Sequence, residues 1–460
     1  MMKDLTDVDE KIKNGMRYSI YAGVSSAFFF VMIQGVFLTG LALYLGADEL
    51  KIGIIGSIPL LAQTAQLLHP ILTGRLKSRK IVGVIVMAIS RFIWLAVIFI
   101  LLSERKNLEL FMFIFTMSHV FGNIWGNIWL SWMRDLVPNE VRGKFFGMRN
   151  LFVSLTWLIA TFIFSWILDH VDPPLSYQLM IAISMIGVSF AVVFTLKQYE
   201  PPVKESYALR EFIMVFKDTN FRKLMIFGLF WNFIIMLTAN FFSVHLLKNL
   251  KVPYTTIAFF SIVSGLLSIL FYRYWGRISD TVGHKEVAKV GIRIVAFLAL
   301  LWGFMNSRNY IPFLWMDAVL VAIGWTAINL SLITIPLEVA GENVSTYIAV
   351  YSSLNGISGF LGSIVGGIVS KFLAGVHFEI FGFEFFGLQF LFMVEGVLRF
   401  LSLRMLDRIQ VRTYIPMRVY LVNTLIHMRR RFNIAFGEMP PIFRFLRRYG
   451  KIRKKEDQVL

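Results

Sequence analysis

The stretch GRISDTVGHKEVAKVGIR, from Gly276 to Arg293, has a counterpart in GRLKSRKIVGVIVMAISR, from Gly74 to Arg91. Both begin with Gly-Arg and end with Arg at one constant offset. A second pair, PNEVRG from Pro138 to Gly143 and PLEVAG from Pro336 to Gly341, recurs at nearly the same offset. Short polar motifs kept in corresponding places are the mark of internal duplication. Each motif is flanked by long apolar runs, so the unit that is duplicated is a set of hydrophobic helices with polar loops.

Apolar side chains make up 57% of the 460 residues and charged ones only 16%, a mixture suited to a bilayer rather than to water. About 20 mostly apolar residues in a helix cross the hydrocarbon core, where every backbone hydrogen bond must close within the segment. Twelve stretches meet that length: Tyr18–Leu45, Ile52–Leu72, Ile81–Leu102, Leu110–Met133, Phe145–Leu168, Tyr177–Leu196, Leu224–Leu247, Thr255–Trp275, Val287–Met305, Ile311–Ile335, Val344–Leu373 and Phe386–Leu403. The fold class expected is therefore an all-α membrane protein of twelve transmembrane helices in two pseudo-symmetric six-helix bundles. The divisions are 1–17 as a cytoplasmic N-terminal segment, 18–196 as the first bundle, 197–223 as a cytoplasmic linker, 224–403 as the second bundle and 404–460 as a basic amphipathic tail. Residues 1–17 offer neither an apolar run nor a small-residue cleavage site, so no removable signal peptide is expected. Within the linker, Leu209, Phe212, Ile213 and Phe216 recur at helical spacing, as in a helix lying on a membrane surface.

Lys and Arg gather in alternate loops: Arg75, Lys77, Arg79 and Lys80 after segment two, Arg134, Arg142 and Lys144 after segment four, and Arg277 and Lys285 after segment eight. The opposite loops hold Asp169 and Asp172, and Glu379 and Glu384, with Lys248 and Lys251 as exceptions. The positive-inside rule then places both termini in the cytoplasm, and the expected location is a prokaryotic inner (cytoplasmic) membrane. Of the net charge of +18, the residues from Arg404 onward carry +10, with 14 basic and 4 acidic side chains. Charge beside the last helix points to anionic lipid headgroups as partners and away from nucleic acid. The absence of cysteine excludes disulfides, thiolate catalysis and cysteine-held metals. No His-Glu-x-x-His, Gly-x-Ser-x-Gly or phosphate-binding glycine loop is present, so an enzyme is not expected, and no cofactor or metal is called for.

At these loops the chain resembles the major facilitator superfamily, whose signature after helices two and eight reads roughly Gly-x-x-x-Asp-x-x-Gly-x-Lys/Arg. Gly276, Asp280, Gly283 and Lys285 fit it; the first copy keeps Gly74, Arg75, Arg79 and Lys80 but has Ser78 in place of the acid. The segment SWMRDLVPNEVRGKFFGMRN from Ser131 is similar to the region after helix four in many bacterial members, with Asp135, Arg142 and Arg149 in matching positions. The resemblance implies two bundles rocking about a central cavity lined by helices one, four, seven and ten. It makes Arg75, Asp135, Arg142, Arg149, Gly276, Arg277, Asp280, Gly283 and Lys285 gating-loop residues. An ion pair of Asp280 with Arg277 is one way to latch that side; orientation of the helices alone is the other reading of these charges.

Polar groups within membrane segments are costly and become candidates for function. His119, Asn123 and Asn127 recur every four residues, on one helical face. The repeat sets His119 opposite Asp317, and both are candidates for proton coupling because each type can titrate near neutral pH. Gln34, Asn232, Asn240 and Asn329 are further cavity candidates, near Trp125, Trp129, Trp231 and Trp325; amides also join helices without any transport role. Arg91, Arg293, and the Glu395–Arg399 pair one turn apart, read first as ion pairs between or within helices. Gly359, Gly362, Gly366 and Gly367 read as close-packing surfaces. The expected function is secondary active transport of a small organic solute by alternating access, coupled to protons, by a monomer. Drug or metabolite efflux is the alternative; the Gly-Pro-x-x-Gly-Gly pattern of exporters is absent from segment five. From another class, a non-transporting sensor or assembly factor on the same fold stays open.

Overall fold

The structure is a computed structural model that describes residues 10–63, 78–103, 106–202, 215–341, 344–380, 383–420 and 422. Arg75, the surface helix expected from Tyr207 and the basic cluster of the tail lie outside the described residues.

Among the described residues, eight helices are long and apolar enough to cross a membrane, and a bent pair makes a ninth. In chain order these spans are 1 (Glu10–Met32 and Gly35–Tyr44), 3 (Arg79–Leu102), 4 (Leu108–Leu136), 5 (Glu140–His170), 6 (Leu175–Lys197), 7 (Thr219–Asn249), 8 (Tyr254–Val282), 10 (Tyr310–Val339) and 11 (Tyr347–Leu373). The places of segments two, nine and twelve are taken by Glu49–Ala62, His284–Trp302 and Gly387–Asp407. Span 2 is shortened at the edge of the described residues. Spans 9 and 12 carry too many charges for an apolar span: Lys285, Glu286, Lys289 and Arg293 in one, Glu395, Arg399 and Arg404 in the other. Between spans 11 and 12 a small hairpin pairs β1 (His377–Ile380) with β2 (Phe383–Phe386), His377 opposite Phe386.

Helix starts follow local chemistry. Asp48, Asn107 and Asp218 each accept a backbone N–H of the following turn at 2.9 Å, and Ser78 caps span 3 through Ile81 at 3.3 Å. Such caps contribute about 1 kcal/mol each.

Packing repeats between the halves. Span 1 packs on 5 and 6, 3 on 4 and 6, and 2 on 4; correspondingly 7 packs on 11 and 12, 9 on 10 and 12, and 8 on 10. The two bundles are thus copies in arrangement as well as in sequence. They meet through spans 2 and 11, 5 and 8, and the second part of span 1 with span 7. At the first of these contacts, a Cβ on Gly53 would stand 2.7 Å from the Gly367 Cα and 2.7 Å from the Ser363 carbonyl oxygen. Ser363 Oγ donates to the Gly53 carbonyl at 2.7 Å, a small-residue crossing that lets two backbones touch.

Inside the second bundle Arg399 pairs with Glu395 and donates to the Val295 carbonyl at 2.7 Å; Glu395 is fully buried. This is the intrahelical pair expected from the one-turn spacing. Removing one partner strands a buried charge at a cost of about 3–5 kcal/mol, whereas replacing both by apolar groups is far milder. Glu395→Gln and Arg399→Met should therefore lower the melting temperature in detergent strongly, and the double variant Glu395→Leu/Arg399→Met should recover most of the loss. Equal losses in all three would contradict the pairing.

Candidate functional site

The hydrogen bonds and ion pairs that tie the bundles together gather at the end bearing Asp48, Asp169, Lys248 and Lys371. Lys371 meets Asp48 at 3.0 Å and Lys248 meets Glu49. Asp169 accepts from the backbone N–H groups of Tyr254 at 2.8 Å and Thr255 at 2.7 Å, and from the Thr255 hydroxyl at 2.6 Å. Its carboxylate caps the start of span 8, where a negative charge is favoured. A groove of about 760 Å³ borders this seam, with the Lys248–Glu49 pair in its lining.

Deeper in the protein lies a cavity of about 350 Å³ between the bundles. It is lined from the first by Gln34, Ser90, Arg91, His119, Asn123 and Trp125, and from the second by Asn240. Span 4 supplies His119 and Asn123 because four-residue spacing puts them on one face. His119 Nδ1 lies 3.0 Å from the Phe115 carbonyl, a contact that only an N–H can make. Asn123 donates to the His119 carbonyl at 2.9 Å. Gln34 sits where span 1 breaks: Met32 ends one helix, Gly35 with φ +58° begins the next, and the two axes differ by 45°. Sequence reading gave span 1 as one continuous helix, because Ile33 and Gln34 do not interrupt its apolar character; Gly35 was the available signal.

Asp317 does not join this cavity. It lines a second one of about 280 Å³ inside the C-terminal bundle, with Phe242, Trp302, Trp325 and Arg399. The Trp302 indole donates to its carboxylate at 2.7 Å. The repeat-related His119 and Asp317 are thus separated into two chambers, one shared by the bundles and one inside the second. Asn127, Asn232 and Asn329 line neither; Asn232 donates to the Gly228 carbonyl at 2.9 Å, and Asn329 is exposed.

Among the gating-loop candidates, Asp280 and Arg277 are both exposed and form no ion pair with each other. The expected latch between them is therefore not formed in this structure, where both side chains face outward. Gly283 and Lys285 both contact the chain at the end of span 12. Gly283 has φ +88°, and a Cβ there would stand 2.0 Å from the Thr413 carbonyl oxygen. Lys285 Nζ donates to the carbonyls of Asp407 and Ile409, each at 2.8 Å, closing the C-terminal end of span 12. Gly276 has open space where a side chain would go. Asp135 pairs with Arg79 at 2.6 Å, Arg142 caps span 4 through the Arg134 carbonyl at 2.9 Å, and Arg149 lies 4.4 Å over the Trp129 ring. Sequence reasoning missed Glu200, which accepts from the Arg79 and Lys80 N–H groups at 2.6 and 3.2 Å and from Ser78; it lies just past span 6, with no motif around it.

A family model described as the Major Facilitator Superfamily matches residues 20–363. The chain belongs to that superfamily. No curated protein matches the sequence. Among solved structures, a mutant of the nucleoside transporter NupG superposes with a TM-score of 0.64 at 15% identity, over 86% of this chain and 100% of that one. A bacterial homolog of the human lysosomal transporter Spinster, inward-facing and unoccupied, gives 0.60 at 14% identity, over 88% and 98%. The human organic anion transporter MFSD10 (TETRAN) gives 0.54 at 12% identity, over 87% and 100%. Those similarities establish the fold, and the superfamily makes the protein an integral membrane solute transporter.

The close approach at Gly53 gives a prediction. Gly53→Val should push spans 2 and 11 apart, an overpacking cost of about 1–3 kcal/mol, and open the seam. Cysteines placed at Asp48 and Lys371, in a chain that has none of its own, should cross-link readily with a short bifunctional thiol reagent, and several-fold less with Gly53→Val present. Unchanged yield would show that the crossing does not hold the seam.

Proposed function

We propose that the protein is a proton-coupled secondary transporter that moves a small organic solute by alternating access. The observation that carries this reading is the cavity whose polar lining comes from both bundles, Gln34, His119 and Asn123 on one side and Asn240 on the other. A site built across two rocking bodies is remade whenever they rock, which is what alternating access requires. In this reading the basic loops are cytoplasmic, the sealed end with Asp48, Asp169 and Lys371 faces outward, and the chain is drawn in an inward-facing state.

Asp317 is the proposed proton site. It stands in its own chamber with a single indole donor, Trp302, and no ion-pair partner among the described residues. A carboxylate of that kind can exchange a proton without breaking a salt bridge. His119 borders the solute cavity and is the second candidate.

Reconstituted protein should take up solutes from mixed pools when a pH gradient is imposed. One pH unit stores about 1.4 kcal/mol per proton, enough for about tenfold accumulation at one-to-one coupling. Asp317→Asn should abolish that accumulation while leaving exchange of solute for solute intact. Undiminished gradient-driven uptake would remove Asp317 from the mechanism, and no flux from any pool would favour a non-transporting sensor on this fold.

A further inference from the structure

Arg91 lies on span 3, 4% exposed, and borders the cavity shared by the two bundles. Sequence reading expected an acidic partner for it, and the second bundle provides one for its counterpart: Arg293 stands 4.0 Å from Glu286. Where the second copy has Glu286, the first has Val84. Arg91 meets no carboxylate among the described residues. Its Nη1 donates to Ser26 Oγ at 2.8 Å, and its guanidinium carbon lies 5.8 and 5.4 Å from the centres of the Phe29 and Phe30 rings. The Nε and Nη2 groups, the edge that grips a carboxylate with two parallel hydrogen bonds, have no partner among the described residues. A guanidinium keeps its proton, so a full positive charge borders a cavity that no Asp or Glu lines.

A second feature of the same cavity has the same sign. Span 1 breaks at its edge, and the N-terminus of the helix Gly35–Tyr44 starts there, with Gln34 and Gly35 in the lining. Gln34 in the capping position turns its side chain back to the Phe30 carbonyl at 2.7 Å and makes no cap hydrogen bond. The first N–H groups of this helix are therefore left without a side-chain acceptor, and a helix N-terminus of this kind favours an anion. The remaining lining, with Phe29, Phe30 and Trp125 beside Ser90 and Asn123, suits an apolar body with a few hydrogen-bonding groups.

We infer that the solute carried in this cavity is a small organic anion whose carboxylate binds the free edge of Arg91, at the broken end of span 1. This deepens the transport reading and rests on it only for the word carried, because binding can be measured without flux. Purified protein in detergent would be titrated with phenylacetate, benzoate and lactate, and separately with their neutral amides, following the intrinsic fluorescence to which Trp125 contributes. At least one acid should bind saturably, and about 10- to 100-fold more tightly than its amide, as loss of a charge-assisted hydrogen bond implies. Arg91→Gln should erase that preference at an unchanged melting temperature. Arg91→Lys, which keeps the charge but not the two-pronged edge, should weaken it and leave the acid favoured. Equal response to acid and amide, no saturable response to any of the six, or a preference that survives Arg91→Gln would overturn the inference. An acid that binds through Arg91 yet is not taken up by liposomes would leave the site standing and count against the transport reading alone.

Discussion

Hydrocarbon cannot solvate an ion, and each charge inside this protein has to be answered by the protein itself. The buried and half-buried arginines show the available answers. Arg399 is held by Glu395 one turn away, and Arg79 by Asp135 with help from the Ser131 side chain at 3.1 Å. Arg149 lies over an indole ring. Arg91 borders a cavity that no carboxylate lines, and it faces only a hydroxyl and two aromatic rings. Where charges are answered internally they lock helices together; where one is left open to a cavity, it becomes a place for a solute.

The same economy governs how each bundle is closed. In the first, the beginning of span 3 docks onto the chain just past span 6, through Glu200 and the Pro201 carbonyl. In the second, the beginning of span 9 docks onto the chain just past span 12, through the carbonyls of Asp407 and Ile409 and a Lys289–Asp407 pair at 2.7 Å. Both joints set a cation on backbone carbonyls, Arg79 on Pro201 in the first and Lys285 on Asp407 and Ile409 in the second, and both set a carboxylate on backbone N–H groups, Glu200 in the first and Glu286, which accepts from Met417, in the second. This accounts for the degenerate first copy of the signature: with Glu200 receiving span 3, Ser78 serves as a cap.

Much of the architecture was legible because it rests on local chemistry. The duplication was readable from the paired loops, the spans from their length and apolarity, and the Glu395–Arg399 pair from one turn of spacing. The cavity was legible in part. Gln34, His119, Asn123 and Asn240 were named from polarity alone and meet in one place, whereas Asn232 spends its amide on the turn before it. Polarity on a helix face does not tell a cavity from a self-satisfied helix. The separation of His119 from Asp317 was hidden for another reason: the repeat makes them equivalent by symmetry, and symmetry places equivalents in different bundles. Arg91 was misread because its partner was assumed, although Val84 stands at the position of Glu286.

The uncompensated guanidinium of Arg91 also has an electrical consequence. An empty carrier whose buried arginine moves relative to the membrane faces carries that charge through part of the transmembrane field, worth about 2.3 kcal/mol per 100 mV for a complete crossing. With a monoanion on Arg91 the pair is neutral, and the same motion is nearly indifferent to voltage. For this pair of charges, membrane potential would then act chiefly on the return of the unloaded form, so that one buried side chain selects which half of the transport cycle the cell's voltage can drive or hold back.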